Sequence, residues 1–124
     1  MQTPSPDTEF FDHLRAGRLM IQRGVESGRF VYYPRFAEPG TGKPLEWAEV
    51  TGFGTVYAAT AISRKPPQGP YNVSLIDLDE GVRMMSRVEG LPAEAVTIGM
   101  RVKARIVDDG DQPLVVFDPV EAGA

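Results

Sequence analysis

Apolar and polar positions alternate along much of the chain between residues 50 and 117, which is the period of strands with one buried face. Clusters of turn-forming residues, such as Asp79, Glu80 and Gly81, interrupt the alternation. The pattern predicts five strands, at residues 50–62, 71–78, 82–88, 101–107 and 113–117. Residues 91–96 are predicted to form one helical turn, and residues from Asp118 onward a short tail.

Two glycines, Gly52 and Gly54, lie inside the first of these predicted strands. Paired glycines in a strand indicate a bulge, a sharp bend or a close approach of another backbone. A strongly bent first strand is what a small closed barrel needs. Five strands, with a connector between the third and the fourth, therefore predict an oligonucleotide/oligosaccharide-binding barrel, the OB-fold.

The N-terminal part of the chain has a different, helical spacing. A helix is predicted from Thr8 to Ala16 and ends at Gly17, a residue that suits a left-handed helix cap. Phe10, Phe11 and Leu14 fall on one side of this helix. A helix so short must pack on another surface, either on its own domain or on a partner protein.

Residues 18–23 and 29–33 are two short β-forming runs joined by the sequence GVESG, and they predict a hairpin. Residues 36–44 contain two prolines and two glycines and are predicted to be irregular. We expect the hairpin to be stabilised by burial of Phe30, Tyr32 and Trp47.

Composition restricts the functions that this chain can have. The formal net charge of −4 argues against a general binder of polyanions, since such domains are usually basic. The absence of cysteine excludes disulfides and thiolate metal sites. No run approaches the roughly 18 apolar residues that span a bilayer, so we expect a cytoplasmic protein.

The sequence offers little support for catalysis. His13 is the sole histidine and lies on the predicted helix, with no nucleophile motif around it. The acidic residues Asp77, Asp79 and Glu80 are better explained as turn formers at the end of a strand. We therefore predict that the protein is not an enzyme and needs no cofactor.

A stripe of cations is the clearest charged pattern. Arg101, Lys103 and Arg105 share one face of a strand, which is either a solvated outer face or an anion-binding surface. Such a surface would suit the phosphates of coenzyme A, a single-stranded nucleic acid or acidic residues of a partner. OB barrels that bind single strands also expose stacking aromatics, and Phe53 and Tyr57 are the candidates for that role.

Several segments together carry a resemblance to a known family. The chain resembles the DUF35 family of zinc-ribbon-containing OB-fold proteins, which are acyl-CoA-associated partners of thiolase-like enzymes. The resemblance covers nearly the whole chain and rests on the segments FFDHLRAGRLMIQR, YYPR, LEWAEVTGFGTVYAAT, PYNVSLIDLDEGVRMMSRVEG and IGMRVKARI.

The chain departs from the family pattern in the ribbon. The positions of the four family cysteines fall on Gly24, Ser27, Glu38 and Thr41. Structural zinc requires four thiolate or imidazole ligands, and these residues do not supply them. We therefore predict a ribbon that binds no metal.

The resemblance implies a mainly β chain: an N-terminal docking helix at 1–17, a rubredoxin-like zinc-ribbon hairpin lacking its cysteines at 18–46, and a five-stranded OB-fold barrel at 47–120. It implies a non-catalytic subunit of a thiolase-like acyl-CoA enzyme, with acyl-CoA itself as a further ligand. The alternatives are a single-strand-binding OB module and a structural homo-oligomer. For such a subunit, we expect docking through Phe10, Phe11 and Leu14, and contacts with coenzyme A phosphates from Arg23, Arg35, Arg64 and Lys65.

Overall fold

The computed structural model describes residues 5–110 and 112–120. Within them the chain forms one α-helix, one 3-10 turn and eight strands in two sheets. The elements, in order, are α1 (Pro6–Arg15), β1 (Met20–Gly24), β2 (Phe30–Val31), β3 (Leu45–Glu49), β4 (Phe53–Ile62), β5 (Tyr71–Leu78), β6 (Arg83–Ser86), the 3-10 turn (Ala93–Ala95), β7 (Arg101–Asp109) and β8 (Gln112–Pro119).

The first sheet is the ribbon and has the strand order β2-β1-β3. The predicted hairpin is confirmed, because Gln22 pairs with Val31 and Arg23 with Phe30. β3 was not predicted from the sequence, and it pairs with all five residues of β1. The proposed boundary between ribbon and barrel at residues 46 and 47 therefore falls inside a strand of the ribbon sheet.

The second sheet has the order β6-β5-β4-β7-β8 and curls into a nearly closed barrel. Closure comes from a parallel bridge between Val88 and Phe117, with the Phe117 N–H donating to the Arg87 carbonyl at 3.0 Å. This arrangement confirms the predicted fold class, an N-terminal helix followed by a cysteine-free ribbon and an OB-fold barrel. No helix in the described part of the chain is long and apolar enough to cross a membrane.

The paired glycines allow the close approach that the sequence predicted. A Cβ at Gly54 would lie 2.8 Å from the Asp77 carbonyl oxygen and 2.9 Å from Ile76 Cγ2. Gly52 has a φ of +85°, a conformation that favours glycine, and packs beside Ala104. Glycine is therefore the residue that fits at both positions, at the start of β4.

Several predicted strand ends differ from the structure: β4 begins at Phe53 rather than at residue 50, and β7 continues to Asp109 rather than ending at residue 107. Two further differences have a clear cause in the pairing of β8. β6 ends at Ser86 rather than at Val88, because Arg87 and Val88 turn away from β5 to pair with β8. β8 continues through Asp118 and Pro119, which pair with Lys103 and Val102, so these residues are not a tail. The helical turn predicted between the third and fourth barrel strands is confirmed at Ala93–Ala95.

Candidate functional site

The ribbon contains two tight turns at the positions of the family's metal-binding knuckles. In the first turn the Gly28 N–H donates to the Gly24 carbonyl at 2.9 Å. In the second, the Gly42 N–H donates to the Glu38 carbonyl, also at 2.9 Å. Gly28 and Gly42 have φ values of +74° and +69°, which glycine adopts without strain. Both knuckles are therefore formed by backbone hydrogen bonds.

Glu38 joins the two knuckles. Its side chain is 2% exposed, and its Oε2 accepts hydrogen bonds from Ser27 Oγ at 2.9 Å and from Arg29 Nη2 at 2.8 Å. A second ion pair, Lys43 Nζ to Glu26 Oε2 at 2.6 Å, links the same two turns. The Arg29 guanidinium, followed by the Ser27 hydroxyl, lowers the pKa of Glu38 below its ordinary value. The carboxylate is thus held ionised where the family places a cysteine.

These residues do not fit zinc. Gly24 has no ligand, and a Cβ at this position would meet Ser27 Oγ and lie 2.7 Å from Glu38 Oε1. The Arg29 guanidinium occupies one carboxylate oxygen of Glu38, where a dication would be repelled. In the described ranges, no three His, Cys, Asp or Glu residues are grouped as metal ligands would be.

The N-terminal helix packs on its own chain. Phe10 and Leu14 are 4% and 2% exposed and belong to the hydrophobic core, where the Phe10 ring meets that of Tyr32 at 5.9 Å. This burial corrects the expectation that both residues offer a docking surface. Of the three residues predicted for docking, Phe11 alone stays partly exposed, packed at the edge of the core.

Trp47 fixes the helix to the ribbon. Its Nε1 donates to Glu9 Oε2 at 2.7 Å, and its ring meets the imidazole of His13 at 5.1 Å. The sole histidine is therefore engaged in a packing contact between the helix and β3. Phe30, Tyr32 and Trp47, which were expected to be buried, are each partly buried against the core.

The cationic stripe on β7 does lie on one exposed face, as its spacing predicted. Arg101 pairs with Asp79 at 2.7 Å, and Arg105 pairs with Asp118 at 2.7 Å and with Glu89 at 2.9 Å. Lys103 lies 5.0 Å from the centre of the Phe53 ring. Carboxylates thus offset the two arginines, and an anion-binding role for Arg101, Lys103 and Arg105 remains a proposal.

The four cations predicted to contact coenzyme A are not grouped, and each has different neighbours. Arg23 pairs with Glu46 at 2.8 Å, on the ribbon. Arg64 Nε donates to the Gly69 carbonyl at 2.8 Å and so braces its own loop, which also carries the exposed Lys65. Arg35 lines one cleft, and Arg64 lines a separate depression beside Arg87 and Glu89. The structure does not bring the four residues together.

A cleft of about 380 Å³ lies between the ribbon and the β5–β6 turn of the barrel. Three arginines line it: Arg29, Arg35 and Arg83. The backbone of Arg35 is held by Gln22, whose buried side chain accepts from the Arg35 N–H at 2.6 Å and donates to its carbonyl at 2.7 Å. This cleft was not predicted from the sequence, since only the packing of ribbon on barrel creates it.

Comparisons with known proteins identify the barrel. The family described as "ChsH2, C-terminal OB-fold domain" matches residues 47–107. A solved structure described as "Ltp2-ChsH2(DUF35) aldolase" is similar to this chain with a TM-score of 0.82 and 27% identity. The similarity covers 96% of this chain and 98% of that one, so it includes helix, ribbon and barrel alike.

Among the relatives that are similar in sequence are a hydratase subunit and a scaffold protein. A "3-oxo-4,17-pregnadiene-20-carboxyl-CoA hydratase alpha subunit" from Mycobacterium tuberculosis is 32% identical over 94% of this chain, which spans 39% of that protein's length. A "DUF35 domain-containing scaffold protein" from Methanocaldococcus jannaschii is 33% identical over 88% of this chain and 87% of its own. The chain belongs to the DUF35 family.

Proposed function

We propose that the protein is a non-catalytic accessory subunit that binds a thiolase-like enzyme of acyl-CoA metabolism. The observation that carries this proposal is the similarity over 96% of the chain to a DUF35 chain in an aldolase complex with Ltp2. Relatives named as a scaffold protein and as a subunit of an acyl-CoA hydratase support the same class of role.

The ribbon is the proposed docking surface. It exposes three large apolar side chains, Val25, Tyr33 and Phe36, which are 54%, 47% and 78% exposed. Exposed apolar side chains grouped on one small unit are typical of protein interfaces. The internal contacts of Glu38 and Trp47 keep this unit rigid, which lowers the entropic cost of docking. Phe11, at the edge of the helix, extends the surface.

The side chains that could serve in catalysis are engaged in contacts within the fold, and this supports an accessory role. His13 packs on Trp47, while Asp77 pairs with Arg83 at 2.6 Å and Asp79 with Arg101 at 2.7 Å. Each arginine lowers the pKa of its aspartate, which therefore stays ionised and is poorly suited to donate a proton at neutral pH. These groups are engaged in maintaining the fold.

Affinity capture from the native host tests the proposal. We expect the tagged wild-type chain to recover a thiolase-like acyl-CoA enzyme, identified by mass spectrometry. The double variant Val25→Ser, Phe36→Ser should lose it, whereas the control Ile98→Ser, which alters a 75% exposed barrel residue, should retain it. Failure of the wild-type chain to recover any acyl-CoA enzyme would contradict the proposal.

A single-strand-binding module is the second function that the sequence predicted, and the surface gives it less support. Arg83 lies 3.5 Å from the centre of the Tyr57 ring and Lys103 covers Phe53, so both candidate stacking aromatics are already capped. Salt-dependent binding of an oligonucleotide at micromolar affinity or tighter would restore this alternative.

A further inference from the structure

The first half of β5 reverses the alternation that a half-exposed strand usually has. Asn72 and Ser74 are buried, whereas Val73 and Leu75 are half-buried on the outer side of the barrel. The polar Asn72 is needed inside, because its Nδ2 donates to the Val88 carbonyl at 2.7 Å and its Oδ1 accepts from the Val88 N–H at 2.9 Å. Its contacts explain the buried polar side chain but leave the apolar ones outside without a role in the fold.

The apolar surface of β5 extends onto both neighbouring strands. Leu75 pairs with Ala58 of β4 and with Met85 of β6, and Val73 pairs with Thr60. Paired residues share one face of a sheet, so these side chains form a single patch. A groove of about 220 Å³ lies on this patch, and we define the outer barrel face by the residues that line it: Ala58, Ala59, Thr60, Val73, Leu75 and Met85.

The outer barrel face has the character of a covered surface. None of its six lining residues is charged, and the Met85 side chain is 69% exposed. β7 shows what an uncovered face of the same barrel carries, because Arg101, Lys103 and Arg105 are all exposed there. A sheet face in contact with water is usually polar, and an exposed apolar one is typical of a surface that another protein covers.

The end of the outer barrel face at which β5 begins is cationic. Arg64 lies 4.3 Å from the centre of the Tyr71 ring, at the first residue of β5, and Lys65 is exposed on the same loop. The Arg64 guanidinium donates to backbone carbonyls of its own loop. Within residues 5–110 and 112–120, neither Arg64 nor Lys65 forms an ion pair. Both positive charges are therefore available to a partner.

The opposite end, at which β5 finishes, is acidic. Asp77, Asp79 and Glu80 outnumber the two arginines that pair with them, Arg83 and Arg101. Although Asp77 is paired with Arg83, its side chain is still 43% exposed and lies on the outer side of β5. The outer barrel face thus has an apolar centre between a cationic end and an acidic end, about 20 Å apart along β5.

We propose that the outer barrel face joins two copies of this chain in an antiparallel, two-fold symmetric dimer. A two-fold interface uses the same patch on both copies, so the patch must complement itself. An axis across the strands places Arg64 and Lys65 of each copy opposite the partner's Asp77, so that the charges complement each other twice. The small side chains of Ala58 and Thr60 leave room for the partner's Met85 as the two sheets pack face to face.

The dimer goes beyond the proposed accessory role and uses different residues. The ribbon residues Val25, Tyr33 and Phe36, which are proposed to dock the enzyme, are not part of the outer barrel face. A dimer would therefore present two docking ribbons. A face three strands wide is smaller than a standard interface of about 800 Å² per partner, so we expect weak, concentration-dependent association.

Sedimentation velocity of the purified wild-type chain tests the dimer. We expect monomer at about 1 µM and a growing share of dimer as the concentration rises through about 10–100 µM, as a small interface predicts. A chain that remains monomeric at about 1 mM would overturn the proposal. Assembly into oligomers larger than a dimer would also overturn it, because a two-fold interface closes on itself.

Substitutions on the face and on the ribbon locate the interface. Met85→Asp and Leu75→Asp should each raise the dissociation constant of the dimer at least about tenfold, because each places a carboxylate among apolar groups. Phe36→Ser, at a 78% exposed ribbon residue, should leave it unchanged. Met85 is so exposed that its substitution spares the core, and circular dichroism would show that the variants are folded. A dimer that Phe36→Ser disrupts and Met85→Asp does not would exclude the outer barrel face as the interface.

A charge reversal tests the complementary ends. Lys65→Glu should raise the dissociation constant about tenfold, because the new carboxylate would lie opposite the partner's Asp77. Lys103→Glu, the same change of charge on β7, should have no effect. Equal effects of the two reversals would show that net charge, rather than the arrangement of the ends, controls association.

Cross-linking tests the antiparallel arrangement, and the chain contains no cysteine that would interfere. Lys65→Cys and Asp77→Cys chains, mixed in equal amounts and treated with a short bis-maleimide, should cross-link to each other more than either does to itself. Preferential cross-linking of each variant to itself would overturn the antiparallel dimer. Because these assays contain no partner enzyme, their failure would leave the capture of an acyl-CoA enzyme by the ribbon as a separate question.

Discussion

Glu38 joins the two knuckles through hydrogen bonds, whereas in zinc ribbons a metal ion joins them. The Ser27 hydroxyl and the Arg29 guanidinium both donate to its Oε2, so removal of this one side chain would remove both contacts. The sequence showed that the zinc ligands were missing but did not show the replacement. The contacts form across 11 and 9 residues of chain, and they depend on how the two turns face each other.

A pH titration of stability tests the role of Glu38. Its pKa is lowered in the folded protein, so the stabilisation it contributes is fully present above its unfolded pKa of about 4.3 and is lost as pH falls through the folded value. We expect Glu38→Gln to lower the melting temperature at neutral pH and the difference from wild type to shrink in acid. Glu26→Gln, which alters the exposed ion pair of the same knuckles, should have a smaller effect. A melting-temperature difference between Glu38→Gln and wild type that is the same at every pH would contradict this role of Glu38.

Restoring the cysteines tests whether the zinc-ribbon frame is intact. The variant with Gly24→Cys, Ser27→Cys, Glu38→Cys and Thr41→Cys should bind zinc at one ion per chain, because the two knuckles already face each other. Elemental analysis of the purified variant is the measurement. The triple variant that retains Gly24 is the control and should bind zinc more weakly. A quadruple variant without stoichiometric zinc would show that the frame has diverged from the family geometry.

At the scale of elements, the helix packs against both the ribbon strand β1 and the barrel strand β8. The period of two predicted β4, β5 and β7 well, since alternation with one buried face determines these strands. β3 was missed because its pairing partner, β1, is about 25 residues away and LEWAE has no clear alternation. Whether the helix packs on its own chain or on a partner could not be decided by spacing alone, since both uses require the same apolar side.

Two phenylalanines distinguish the core from the docking surface. Phe10→Ala should reduce the free energy of unfolding by about 3–5 kcal/mol, because a core ring is removed. Phe36→Ala, at a residue that is 78% exposed, should change it by less than about 0.5 kcal/mol. Urea unfolding followed by the fluorescence of Trp47, the sole tryptophan, measures both. Equal effects of the two substitutions would contradict the assignment of Phe10 to the core.

At the scale of the whole molecule, the barrel supports two surfaces of different character. The ribbon exposes apolar side chains at its surface, while the ribbon and the barrel together enclose the cleft lined by Arg29, Arg35 and Arg83. The fold and family were predictable because the motifs occur in order along nearly the whole chain. The cleft was not, since residues 29–32 and 81–83 become neighbours only when ribbon and barrel pack together.

The most direct test of the accessory role is the turnover of acyl-CoA by the captured enzyme with and without this chain. The enzyme, separated from this protein, should lose activity or stability, and adding back the purified chain should restore it. This chain alone should turn over no acyl-CoA. Turnover by the chain alone, or an enzyme whose activity and stability are the same in its absence, would contradict the proposed function.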